Sequence, residues 1–226
     1  MLRSQFENDL QKLHTQFYEM GTMVSDAIYK AVKSFINHDK NLAKEVIDND
    51  HFINEMEIKL ERKSFEMIAL QQPVTTDLRM IVTILKASSD LERLGDHAVS
   101  IAKATIRVKG NKRIPNVESE LSNMSKYSIE MVNDVLTAYI QNDDKKAREI
   151  ADRDERINQY YSDIYNQTIE QMKEDPETII GGTDYLQVAS YIERIGDYVT
   201  NICEWIVYLQ TGRITELNKD SLNPKF

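Results

Sequence analysis

Cysteine is almost missing from this chain: Cys203 is the only one in 226 residues. No internal disulfide is possible, which fits a reducing compartment. Four Pro and seven Gly are too few for a protein built from short strands and tight turns, and they suit long helices. No stretch approaches the roughly 20 apolar residues of a membrane span. Arg3, Glu7 and Asp9 interrupt any apolar opening run, so no secretory leader is expected and any membrane role should be peripheral. Basic residues are outnumbered, 28 against 37 acidic, for a net charge of −9. Such a chain repels phosphate backbones, so nucleic-acid binding is not expected. A cation or a basic protein partner suits it better.

What is present is helical periodicity. The apolar fraction of 41% can build a core, while a mean hydropathy of −0.50 requires a charged surface. Phe6, Leu10, Leu13, Phe17, Met20, Val24, Ala27 and Ala31 step by four and three, the seam of a long helix. Asn37-His38-Asp39 breaks it, and Asp39 can cap a second helix with Val46, Ile53, Met56, Leu60 and Met67 on one side. Pro73 and Thr75-Thr76-Asp77 separate that helix from a third, whose seam runs from Met80 through Leu91 and Leu94 to Ile101. The pattern then repeats. A fourth helix carries Leu121, Met124, Met131 and Val135, a break follows at Asn142-Asp143, and a fifth runs to about Glu174. Gly181-Gly182 loosens the start of a sixth, which stops at Thr211-Gly212.

The chain is thus expected to be all-α: two tandem three-helix bundles, six long helices related by an internal repeat. The expected divisions are residues 1–109, a linker at 110–116, a second repeat at 117–212 and a tail at 213–226. The repeat can be counted. With Ser34–Asn54 set over Ala138–Asn158, an offset of 104, eight of 21 positions agree, among them Asp50 with Asp154, Ile53 with Ile157 and Asn54 with Asn158. At an offset of 101, Glu92-Arg93-Leu94-Gly95-Asp96 overlies Glu193-Arg194-Ile195-Gly196-Asp197. Duplicated helical units usually stack and bury one continuous core.

The chemistry lies in those segments. Glu92 and Asp96 are four apart, hence on one helix face, as are Glu193 and Asp197. With Leu91 and Leu94 in the seam, the acidic pair is expected to point outward. Two like charges at this spacing repel by a few tenths of a kcal/mol unless a cation neutralises them. Asp50 with Asn54, and Asp154 with Asn158, sit at the edge of the neighbouring helix's apolar seam and can reach across. Oxygen donors of this kind suit hard cations such as Mg²⁺, Mn²⁺, Ca²⁺ or Fe³⁺. The plainer reading of each acid is a solvated helix face, and of Arg93 and Arg194 a structural ion pair. Gly95 and Gly196 each cost about 1 kcal/mol against Ala within a helix. Such glycines point to close helix contact or to crowding around a ligand.

Enzyme signatures are missing: no HExxH, no Glu-x-x-His of the di-iron type, no GxSxG and no GxxxxGK[ST]. The four His form no ligand set by spacing. His97 adjoins Asp96, but its counterpart is Tyr198. The chain is not expected to be an enzyme.

Asp50–Asn54, Gln71-Gln72-Pro73 with Asp77-Leu78-Arg79, Leu91–His97, Asp154–Asn158 and Ile192–Asp197 followed by Asn201-Ile202 together resemble the PhoU family of phosphate-signalling proteins. The resemblance covers nearly the whole chain. It implies surface metal clusters of iron, or of magnesium, manganese or zinc, held here by Asp50, Glu92 and Asp96 and by Asp154, Glu193 and Asp197, with Asn54 and Asn158 assisting. It also implies a cytoplasmic protein, often a homodimer, that restrains phosphate uptake and Pho-regulon signalling. The implied partners are the phosphate ABC transporter and a sensor histidine kinase. Two departures stand out: Glu57 corresponds to Tyr161, and Lys103 to Glu204, so the two sites need not match. The competing expectation is a structural helical scaffold whose acids bind nothing.

Overall fold

A computed structural model describes residues 2–107 and 112–217. Among these residues all regular structure is helical. The first repeat comprises α1 (Leu2–Asn37), α2 (Lys40–Gln71) and α3 (Thr75–Arg107). The second comprises α4 (Pro115–Gln141), α5 (Asp144–Asp152), α6 (Asp154–Glu174) and α7 (Ile179–Thr211), with a 3₁₀ turn at Pro176–Thr178. The fifth expected helix is therefore a rod broken at Arg153 into α5 and α6, so six rods fill the fold. Residues 108–109 of the expected first repeat, Gly110 and Asn111 of the expected linker, and the tail from 218 onward lie outside the described residues. α4 begins inside the expected linker, with Pro115 at its first turn, where a missing N–H costs nothing.

The breaks form as their residues dictate. The Asp39 carboxylate accepts from the N–H groups of Asn41 and Leu42, and Asp143 accepts from Lys146. α2 ends on Gln72 in the left-handed region, just ahead of Pro73. α7 closes on Gly212 at φ 69°, whose N–H reaches the Tyr208 carbonyl at 2.8 Å. Gly181 and Gly182 lie buried inside the start of α7 instead of loosening it. A Cβ on Gly182 would run into Met172 of α6, so that glycine sets a close approach.

Each repeat is a three-rod bundle, and the two share one continuous apolar core. Leu13, Phe17, Met20, Ile84, Leu91, Leu94, Leu121, Val135, Ile192 and Ile202 are all fully buried. The repeats meet through α1 with α4 and through α3 with α7, whereas α2, α5 and α6 touch only helices of their own repeat. α3 and α7 run antiparallel. Arg107 pairs with Asp184 at 2.9 Å, His97 stacks on Tyr191 and lies tilted against Tyr198, and Trp205 Nε1 donates to Asp90 at 3.0 Å. The Glu-Arg-x-Gly-Asp segments therefore lie near the middle of the molecule, side by side. On the α1–α4 side, Ser25 Oγ meets Asn133 Oδ1 at 2.9 Å, and the Tyr139 hydroxyl meets His14 Nδ1.

Candidate metal centre

α2 carries Asp50 and Asn54 one turn apart, facing α3. Asn54 Nδ2 donates to Asp50 Oδ2 at 3.1 Å. The second repeat copies this: Asn158 Nδ2 donates to Asp154 Oδ2 at 3.2 Å. The glycines explain how the aspartates come so near. A Cβ on Gly95 would lie 3.7 Å from Asp50 Oδ1 and 3.3 Å from Ile53 Cδ1. A Cβ on Gly196 would collide with Asp154 Oδ1 and stand 3.3 Å from Ile157 Cγ2. Each glycine thus makes the seat in which the neighbouring helix's aspartate rests. Gly95 lies three residues after Glu92 and one before Asp96, so Asp50 lands on the stretch that carries the acidic pair. Both sequence readings of the glycines, close contact and crowding at a site, describe the same atoms.

Electrostatics tie the first group together. Burial raises the Asp50 carboxyl above its usual range, and the Asp96 charge adds to this; the Asn54 hydrogen bond and Lys103 pull the other way. Glu92 is raised by burial first and by Asp96, with further contributions from Glu57 and Asp50 against the opposing pull of Arg93. The acids do not point freely outward as expected. The Glu92 side chain is only 18% exposed and Asp96 43%, because α2 lies against this part of α3. Arg93 pairs with Asp96 at 3.0 Å and stands 3.7 Å from Glu92, the structural ion pair expected of it.

Two buried oxygens mark the first site. Asp50 Oδ1 and Asn54 Oδ1 are buried without a hydrogen-bond donor. An acceptor left so costs about 1–3 kcal/mol, and a cation would satisfy it. Carboxylate and amide oxygens beside a second acidic pair fit a hard cation. Among the described residues, no three His, Cys, Asp or Glu side chains already stand at ligand spacing. Holding an ion would thus require Glu92 and Asp96 to turn from Arg93 toward Asp50.

In the second repeat Asp154 is buried, while Glu193 and Asp197 are half-buried on α7. The Tyr161 hydroxyl pKa is raised by burial and by Glu193, so this tyrosine stands where Glu57 stands beside Glu92. Lys103 acts on Asp50, whereas its counterpart Glu204 accepts the Leu217 N–H at 2.7 Å. Cys203 is a buried core thiol.

Sequence reasoning missed Arg153. In place of Asn49, this arginine reaches α4, where it pairs with Asp134 and lies over the Tyr127 ring at 4.8 Å. The helix breaks at this residue. The 104 offset holds the signal, since it sets Arg153 against Asn49 and Tyr127 against Met23. The His97 ring, next to Asp96 in sequence, stacks on Tyr191 and tilts against Tyr198 of α7.

The chain matches a family model described as PhoU domain twice, over residues 17–105 and 121–206. A relative from Streptococcus pneumoniae, named phosphate-specific transport system accessory protein PhoU homolog, is 39% identical over 217 residues, covering 96% of this chain and all of the relative. The Escherichia coli K12 protein named phosphate-specific transport system accessory protein PhoU is 35% identical over 212 residues, covering 94% of this chain and 88% of its own length. Among solved structures, that of the phosphate transport system regulatory protein PhoU from S. pneumoniae superposes with a TM-score of 0.87 at 38% identity, covering 93% of this chain and 99% of that one.

Proposed function

This chain belongs to the PhoU family, and on that footing we propose that it is an accessory regulator of phosphate transport. The single observation that carries this reading is correspondence along the whole chain: relatives named for that role match 94–96% of it. In finer terms, it acts in the cytoplasm as a homodimer and restrains phosphate uptake and Pho-regulon signalling. It bridges the phosphate ABC transporter and a sensor histidine kinase. Contact with those partners is made by the bundle surface, and no described helix is long and apolar enough to cross a membrane. No catalytic role is assigned.

The regulator carries metal ions. Asp50, Asn54, Glu92 and Asp96 would hold one site, and Asp154, Asn158, Glu193 and Asp197 the other. The orphaned Asp50 and Asn54 oxygens support the first, and the repeated Asp–Asn pair over a glycine supports the second. A bound ion would neutralise the clustered acids and tie the second rod of each repeat to α3 or α7. The test is metal stoichiometry in protein purified without chelator or affinity tag. Wild type should carry metal. Glu92→Ala/Asp96→Ala should lose it from the first site alone, and Glu193→Ala/Asp197→Ala from the second alone. Equal metal in all three, or none in wild type, would leave a helical scaffold with incidental surface acids. Arg93, already paired with the first acidic pair, favours that second reading. The regulatory role is tested separately. Protein from cells grown in high phosphate should recover the transporter or the kinase, and recovery of neither from folded, abundant protein refutes the adaptor role.

A further inference from the structure

The repeats differ where one fills a groove from within and the other leaves it open. In the second repeat, Tyr127 and Arg153 stack in the groove between α4 and the α5–α6 rod, and Arg153 is held there by Asp134, with Glu130 at 3.7 Å. The 104 offset puts Met23 in place of Tyr127, Ala27 in place of Met131 and Asn49 in place of Arg153. These three smaller residues line an open cleft of about 190 Å³ between α1, α2 and α3. Phe52, half exposed, forms one wall, and Ile53 another.

We propose that this cleft receives an aromatic side chain from a partner protein, the part that Tyr127 plays internally in the second repeat. The volume is below the roughly 300–1,000 Å³ of small-molecule sites and suits one large side chain. Its wall is right for a ring: a Met thioether makes favourable contact with aromatic edges, and Phe52 offers offset or edge-on stacking. An aromatic anchor in a small desolvated pocket is the commonest form of interface hot spot. Lys30 at the mouth is matched by Asp26 and Glu45 at 2.8 Å each, and Asp50, also in the lining, has a buried Oδ1 without a donor. A tyrosine suits both, since its ring brings no charge and its hydroxyl can donate to that oxygen. The cleft borders the first proposed metal site through Asp50 and Gly95 and does not depend on the identity of the phosphate-transport partner.

The test uses N-acetyl-tyrosinamide as probe and N-acetyl-leucinamide as control, with methionine methyl groups labelled for NMR. The tyrosine probe should shift the Met23 methyl upfield and saturably, and leave Met131 of the filled repeat unmoved. Ala27→Met/Asn49→Arg, which fills the cleft with the second repeat's residues and keeps the Met23 reporter, should abolish the shift. If that variant lacks native helix content, Ala27→Met serves as the smaller filling. No saturable shift in wild type, an equal response to the leucine probe, or a response that survives filling overturns the proposal.

Discussion

Replacing each of the two motif glycines with Ala should have unequal consequences. Within a helix the exchange gains up to about 1 kcal/mol from backbone propensity. At Gly95 the new Cβ would meet its nearest neighbour, Ile53 Cδ1, at 3.3 Å and Asp50 Oδ1 at 3.7 Å. The first contact is slightly tight and lies at the end of a flexible side chain, so a small shift relieves it. At Gly196 the Cβ would collide with Asp154 Oδ1, and Asp154 cannot easily retreat. It is 5% exposed, and its other oxygen is held by Asn158 at 3.2 Å. Forcing atoms into such a site costs about 1–3 kcal/mol. Gly95→Ala should therefore fall within about 1 kcal/mol of wild type, while Gly196→Ala loses about 1–2 kcal/mol net. For a chain of this size that is a fall in Tm of roughly 2–8 °C. Urea and thermal unfolding followed by circular dichroism measure both. The cause can be isolated by a double-mutant cycle: with Asp154→Ala in the background, the Gly196→Ala penalty should vanish. Gly196→Ala as stable as wild type, or Gly95→Ala the worse of the two, would refute the claim that these glycines seat the aspartates.

Two further outcomes follow from the interface between the repeats. Burial lowers the His14 pKa below its usual value near 6.5, so the unfolded chain takes up the proton first and this group's stabilising share is lost as pH falls from 6.5 through the folded value. His14→Leu should therefore show a shallower loss of stability than wild type between pH 6.5 and 5, and parallel urea curves across that range check it. Arg113 holds the nearly buried Glu118 carboxylate at 2.6 Å and donates to the Ile36 carbonyl at 2.7 Å. Arg113→Ala leaves Glu118 to the Tyr185 hydroxyl and should cost about 1–3 kcal/mol, read as a lower urea midpoint without loss of helix content.

Much of the fold was legible because it depends on patterns that a sequence displays directly. The seams of α1, α3 and α4 step by three and four, and most residues assigned to them are buried, with Phe6, Leu10, Ala27 and Met80 half-buried. Asp39 and Asp143 announced their helix starts through cap chemistry, which is local. The reach of Asp50 toward the Glu92–Asp96 stretch was also legible, because duplication repeated it in Asp154 and the second motif. What was not legible depends on side chains meeting across helices. The burial of Glu92 follows from how closely α2 approaches α3, which cannot be read from the spacing of acids alone. The break at Arg153 is not a propensity effect, since arginine is a good helix former. It coincides with a guanidinium drawn to Tyr127 and Asp134 on another helix, partners that spacing within the rod cannot reveal.

The two repeats hold some positions fixed and let others drift, and geometry accounts for the division. Asp50 and Asp154, Asn54 and Asn158, and Gly95 and Gly196 are the same residues in both halves because each depends on the others. The glycine opens the seat, the aspartate fills it, and the asparagine holds one carboxylate oxygen so that the other faces the seat. A Cβ on Gly196 would displace Asp154, whereas one on Gly95 would stand 3.7 Å from Asp50 Oδ1, at ordinary contact distance. The residues around this frame face no such demand. Glu57 against Tyr161 and Lys103 against Glu204 alter the charge near the acids without altering how the helices meet. Lys103 offsets part of the repulsion on Asp50, while Glu204 is engaged by the chain beyond α7. Met23 against Tyr127 and Asn49 against Arg153 decide whether the groove beside the frame is open or filled. A shared frame with divergent surroundings gives one chain two acidic groups of the same architecture and different electrostatics, and the first borders an open cleft lined by Met23 and Phe52.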